Sequence, residues 1–113
     1  MSALIQGRPL GLDQPLALIA GPCVIESADM VMDIAGQLVE MTQARGLPFI
    51  FKASFDKANR SSVSGYRGCG VDAGLAALEA VKNQLQVPVI TDVHEYTPLA
   101  DVASVVDWLQ TPA

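Results

Sequence analysis

Pro48-Phe49-Ile50-Phe51-Lys52-Ala53-Ser54 is the stretch whose reading decides the fold. It is a short unbroken apolar run that turns polar at Lys52 and Ser54. A strand with one wet face alternates, whereas a continuous apolar run belongs to a strand covered on both faces, as in a parallel sheet. The layout recurs on either side. Leu16 to Ala20 runs into Gly21-Pro22, followed by Cys23 and Glu26. Val87 to Thr91 runs into Asp92 and His94, and Val105 to Leu109 runs into Gln110.

Helical patterns fill the gaps. Ser27 is a candidate N-cap for a helix over Ala28 to Arg45, in which Met30, Ile34, Leu38 and Met41 recur at helical spacing. Gly46 closes it. Asp72 to Leu85 sets Leu75, Leu78, Val81 and Leu85 on one face, and Pro98 to Ser104 reads as a short third helix. The order is strand, helix, strand, helix, strand, helix, strand, which is a parallel α/β arrangement. Polar residues just past each strand favour a (β/α)8 TIM barrel over a doubly wound sheet, because such barrels carry their chemistry at the carboxyl ends of the strands. A complete barrel needs about 250 residues. Residues 1–113 are therefore expected to be the N-terminal part of a single barrel domain, roughly its first four strands, in a truncated chain.

Charge narrows the function. The chain carries a net charge of −5, with half its residues hydrophobic and 17% charged. That balance excludes a disordered chain and argues against nucleic-acid binding. The apolar runs are too short to span a bilayer and Met1 to Leu10 lacks a signal-peptide layout, so a cytoplasmic protein without membrane partners is expected. Yet four of the seven Lys and Arg residues, Lys52, Lys57, Arg60 and Arg67, fall between positions 52 and 67, opposed there only by Asp56. Such a cluster repels itself unless an anion arrives, and Arg suits bidentate phosphate contact. It reads either as a phosphate-binding loop or as a solvated one. The polar stretch from Ser54 to Gly70 is long for a connection in a compact domain, which also points to function.

The string Phe51-Lys52-Ala53-Ser54-Phe55-Asp56-Lys57-Ala58-Asn59-Arg60-Ser61-Ser62 resembles the signature loop of the 3-deoxy-D-manno-octulosonate 8-phosphate synthases. Gly21-Pro22-Cys23-Val24-Ile25-Glu26-Ser27, Thr91-Asp92-Val93-His94-Glu95 and Asp107-Trp108-Leu109-Gln110-Thr111-Pro112-Ala113 resemble further segments of that family, in the same order. The first of these is shared with a wider superfamily; the loop string is long and specific.

The resemblance implies a (β/α)8 barrel, usually a homotetramer, and a transferase of lipopolysaccharide precursor synthesis. The implied reaction joins phosphoenolpyruvate to D-arabinose 5-phosphate. It implies that Lys52, Ser54 and Lys57 contact phosphoenolpyruvate or lie between the substrates, and that Asn59, Arg60 and Ser61 hold arabinose 5-phosphate. Asp92 would bind sugar hydroxyls and Gln110 would lie in the phosphoenolpyruvate pocket. Lys57, Asn59 and Asp92 are the expected catalytic residues. Cys23 would be a metal ligand, because metal-dependent members carry Cys there and metal-independent ones Asn. A divalent metal such as zinc, iron or manganese is then the expected cofactor, with its other ligands beyond Ala113.

His94 reads either as a member of the site or as a strand-end histidine bonded to backbone. Cys69, where the family often has Pro after Tyr66-Arg67-Gly68, reads as a small buried hydrophobe. Both cysteines are expected as thiols. The related 3-deoxy-arabino-heptulosonate 7-phosphate synthases are the enzyme alternative; their signature resembles Lys-Pro-Arg-Thr where this chain has Lys52-Ala53-Ser54-Phe55. The other alternative is a non-catalytic fragment. Half a barrel leaves sheet edges and an apolar face uncovered, so the chain alone is expected to be inactive.

Overall fold

A computed structural model describes residues 4–56 and 69–112. A hairpin of β1 (Leu4–Ile5) and β2 (Arg8–Pro9) precedes the alternating part. Then come β3 (Leu18–Ala20), α1 (Ala28–Ala44), β4 (Phe49–Lys52), α2 (Val71–Leu85), β5 (Val89–Asp92), α3 (Leu99–Ala103) and β6 (Trp108–Gln110). Strands β3, β4, β5 and β6 form one parallel sheet in sequence order. No described helix is long and apolar enough to cross a membrane.

The helices share one face of that sheet. Phe49, Phe51 and Val89 pack in a single cluster with Val31, Ala35 and Val39 of α1, Leu75, Leu78 and Val81 of α2, and Val102 of α3. A doubly wound sheet would divide its helices between two faces. Sequential strands with all helices on one side are consistent with part of a (β/α) barrel. The other face carries Ile50 and Ile90, and Ile5 of the hairpin covers them.

The hairpin was not legible beforehand. Its two turn residues, Gln6 and Gly7, both have positive φ, as a type I′ turn requires. It is fastened by long-range bonds: the Phe49 amide donates to Gln6 Oε1 at 2.9 Å, and Arg8 Nη1 donates to the Gly46 carbonyl at 2.7 Å.

Helix α1 starts and stops where its end residues dictate. Ser27 Oγ accepts from the Met30 amide at 3.1 Å. At the far end Gly46, at φ 64°, donates to the Gln43 carbonyl while Leu47 donates to that of Thr42, a Schellman closure. The buried stripe is Val31, Ala35, Val39 and Thr42. The stripe at Met30, Ile34 and Leu38 lies on its flank, and Met41 is exposed. Two apolar rows compete on this helix. The one with smaller side chains lies against the sheet, and the longer residues reach around its edge.

Strand boundaries also shift. Leu16 is exposed and lies outside β3. Val105 and Val106 are spent on the turn after α3, where both amides donate to the Val102 carbonyl, so β6 begins three residues later than the apolar run.

Candidate active site at the carboxyl ends of the strands

Parallel register brings the strand ends together. Lys52 pairs with Ile90, and Asp92 pairs with Gln110, so Lys52, Asp92 and Gln110 point to the same face of the sheet, the one away from the helices. Ser54 follows two residues after Lys52 and joins them. Beyond β3 the chain continues the ladder: Val24 bridges Ser54, and the Ile25 amide donates to the Ser54 carbonyl at 2.8 Å. Just before it, Gly21 lies against the Lys52 backbone. A Cβ there would lie 1.7 Å from the Lys52 carbonyl oxygen, so only glycine permits the approach.

At the centre is a buried polar cluster. Ser54 Oγ donates to Asp92 Oδ1 at 2.5 Å, and both residues are buried. His94 Nε2 lies 3.2 Å from Asp92 Oδ2 and 2.8 Å from the backbone carbonyl of Asp56. A carbonyl oxygen only accepts, so Nε2 carries the ring proton. His94 is therefore bonded to backbone and also lies beside the Asp92 carboxylate. Thr91 Oγ1 donates to the Ala53 carbonyl at 2.8 Å, locking β5 against the end of β4. Among the described residues each carboxylate oxygen of Asp92 has two lone pairs and one neighbour, which leaves acceptor capacity for an incoming hydroxyl.

The remaining expected residues divide. Lys52 is half-buried, and no ion pair among the described residues involves it. Gln110 is half-buried, and its carbonyl accepts from the Val93 amide at 2.9 Å. Cys23 is an exposed free thiol at the same end of the sheet. Lys57, Asn59, Arg60 and Ser61 lie outside the described residues, as do Ser62 and Arg67. Cys69 is a free thiol and only half-buried, not a core residue; burial still pushes it above the ordinary thiol value.

Among the described residues no three His, Cys, Asp or Glu side chains gather as a metal site. Cys23 is one soft donor and does not hold a metal alone. A cavity of about 320 Å³ opens beside His94, between Phe55, Asp56, Val71, Tyr96 and Pro98. Lys52, Ser54 and Gln110 do not line it. Gly74 packs closely against Phe55, one of the lining residues, and a Cβ there would collide with it.

Sequence reasoning did not find the Asp56 carbonyl or Thr97, whose Oγ1 accepts from the His94 amide at 2.7 Å. No local signal marks the first, since Asp56 and His94 are 38 residues apart.

The sequence profile described as the DAHP synthetase I family matches residues 5–113. This chain belongs to that family. Its relatives include proteins named 2-dehydro-3-deoxyphosphooctonate aldolase. The one from Alkalilimnicola ehrlichii is 65% identical over 107 residues, covering 95% of this chain and 39% of the relative. That from Hydrogenovibrio crunogenus is 62% identical with the same coverage. That from Coxiella burnetii (strain Dugway 5J108-111) is 66% identical over 104 residues, 92% of this chain and 37% of its own. The chain thus spans well under half the length of these curated relatives. The cluster of Ser54, Asp92 and His94 sits at the carboxyl ends of the parallel strands.

Proposed function

We propose that this chain forms the N-terminal part of a (β/α)8 barrel enzyme, a transferase that condenses phosphoenolpyruvate with D-arabinose 5-phosphate. The products are 3-deoxy-D-manno-octulosonate 8-phosphate and inorganic phosphate. The observation that carries the reading is the 62–66% identity, across nearly the whole chain, to relatives named 2-dehydro-3-deoxyphosphooctonate aldolase. The convergence of Lys52, Ser54, Asp92 and Gln110 at one end of the sheet supports it. The heptulosonate reading is not favoured, because these relatives bear the octonate name and the chain has Lys52-Ala53-Ser54-Phe55 at the signature position.

In this reaction C3 of phosphoenolpyruvate bonds to the aldehyde carbon of the sugar. The aldehyde oxygen takes a proton, water adds at C2, and phosphate leaves with C–O cleavage. Two multiply charged anions must lie side by side, so cations are needed to offset their repulsion. Lys52 supplies one at the strand end. Lys57 and Arg60 supply others, with Asn59 and Ser61 adding neutral donors. Asp92 accepts from sugar hydroxyls through its free lone pairs, while Ser54 keeps it oriented. Gln110 lines the phosphoenolpyruvate side. Alignment of both reactants in one pocket supplies much of the acceleration.

Cys23 would give one thiolate to a divalent metal such as zinc, iron or manganese, whose other ligands come from outside the described residues. When bound, such an ion polarises a carbonyl or positions water. The assembled enzyme is read as a cytoplasmic homotetramer.

The test is acceptor choice. At the full length of its relatives, and with phosphoenolpyruvate present, the protein should release phosphate with arabinose 5-phosphate and not with erythrose 4-phosphate. Release with erythrose 4-phosphate alone would hand the site to the heptulosonate reaction. Silence with both would remove the proposed activity.

A further inference from the structure

We propose that His94 is a positioning residue, one that clasps the peptide carbonyl of Asp56 to the carboxylate of Asp92 and so fixes how that carboxylate meets the acceptor sugar. This rests on the reaction proposed above.

The geometry has three parts. First, the ring nitrogen Nε2 faces two acceptors at once, the Asp56 carbonyl at 2.8 Å and Asp92 Oδ2 at 3.2 Å. The carbonyl only accepts, so the ring carries its proton on Nε2, and that proton is shared with the carboxylate oxygen at the longer distance. Second, the ring has little freedom. The His94 amide donates to Thr97 Oγ1 at 2.7 Å and its carbonyl accepts from the Thr97 amide at 3.2 Å, a tight turn that holds the backbone. The side chain is only 16% exposed. Third, Asp92 is held from the opposite side by Ser54, on its other oxygen. The carboxylate is thus gripped between a serine of one strand end and a histidine tied to the segment that leaves that same strand.

Asp56 immediately precedes Lys57 in the sequence. The clasp therefore joins the root of the cationic stretch to the end of β5. Removing the ring should let Asp92 swing and should release that root. A misplacement near 1 Å is enough to cost roughly a hundredfold in rate. The ring's contacts with the Asp56 carbonyl and the Asp92 carboxylate are what give it a positional role.

The experiment uses the protein at the full length of its relatives. Phosphate release is measured for the wild type, His94→Ala, His94→Gln, Asp92→Ala and the double variant His94→Ala/Asp92→Ala. His94→Ala should lower kcat/KM for the sugar phosphate by about tenfold or more while leaving KM for phosphoenolpyruvate little changed. His94→Gln, whose amide can still donate to the Asp56 carbonyl, should recover most of the loss. Adding His94→Ala to Asp92→Ala should cost clearly less than it does in the wild type, since the clasp then has no carboxylate to orient. Additive losses, or a glutamine variant as slow as the alanine one, would overturn the proposal.

Should the alanine variant fail to fold, the glutamine variant and nitrogen-15 NMR of the wild-type imidazole decide. The His94 signal, assigned by its loss in His94→Gln, should show a proton on Nε2. A proton on Nδ1 alone would refute the clasp. A wild-type protein inactive with both acceptors would remove the reaction, and the positioning role with it, whatever the NMR reads.

Discussion

At the amino ends of β5 and β6, Asp107 is surrounded by partners. Its Oδ2 accepts from the Val89 amide at 2.9 Å and its Oδ1 lies 3.2 Å from Lys82 Nζ, which also donates to the Val105 carbonyl at 3.0 Å. At the carboxyl ends of the same sheet, Asp92 has Ser54 and His94 beside it but keeps acceptor capacity, with Lys52 and Cys23 nearby and unpaired among the described residues. Both ends use a carboxylate and a basic side chain. The amino end uses its charges on the protein's own backbone and fastens α2 to β5 and β6. The carboxyl end holds its polar groups in place and, among the described residues, leaves bonding capacity unspent, which is what a substrate needs. Residue type alone does not separate a structural clamp from a site; the unused lone pairs and donors do.

The comparison can be broken from either end. The largest effect is expected at Asp92. Asp92→Asn keeps the shape and the Ser54 neighbour but removes the charge, and should lower kcat/KM by about a hundredfold with little change in Tm. A large fall in Tm with activity per folded molecule intact would make Asp92 another clamp.

Next comes Cys23. Cys23→Asn should lower the metal bound per subunit of the full-length protein, read by elemental analysis, with folding retained because the thiol is exposed. Unchanged stoichiometry would exclude the thiol as a ligand.

The smallest effect is expected at Asp107. Its ion pair is about a third exposed on each side and so contributes little. Asp107→Ala should cost about 1–2 kcal/mol of stability in denaturant unfolding, mostly from the lost Val89 bond. Phosphate release per folded molecule should stay normal. A lost activity there would erase the distinction between the two ends.

Much of the fold was legible because its signals are local. Ser27 and Gly46 bracket α1 through bonds that reach no more than five residues. The runs at Phe49 to Phe51 and Val89 to Thr91 read as buried strands because both faces of them are covered. The hairpin escaped notice because two-residue strands leave too short a pattern, and its stability comes from Ile5, Gln6 and Arg8 reaching residues some forty positions away. The buried face of α1 was not legible because two apolar rows share the helix, and only the sheet chooses between them. In the site, Lys52, Ser54, Asp92, Gln110 and Cys23 could be named from their places after strands and from family likeness. The hydrogen bond from Ser54 to Asp92 could not.

The amino-acid order alone determined the alternation of strands and helices, the ends of α1, and the clustering of cations after the second strand of the sheet. These follow from side-chain periodicity and capping, which act over a few residues. Tertiary structure decided that Ser54 meets Asp92 and that His94 meets Asp56, pairs that are each 38 positions apart. Such meetings depend on the register of β4 against β5. Register is set by the whole packed sheet, so no short stretch of sequence contains it.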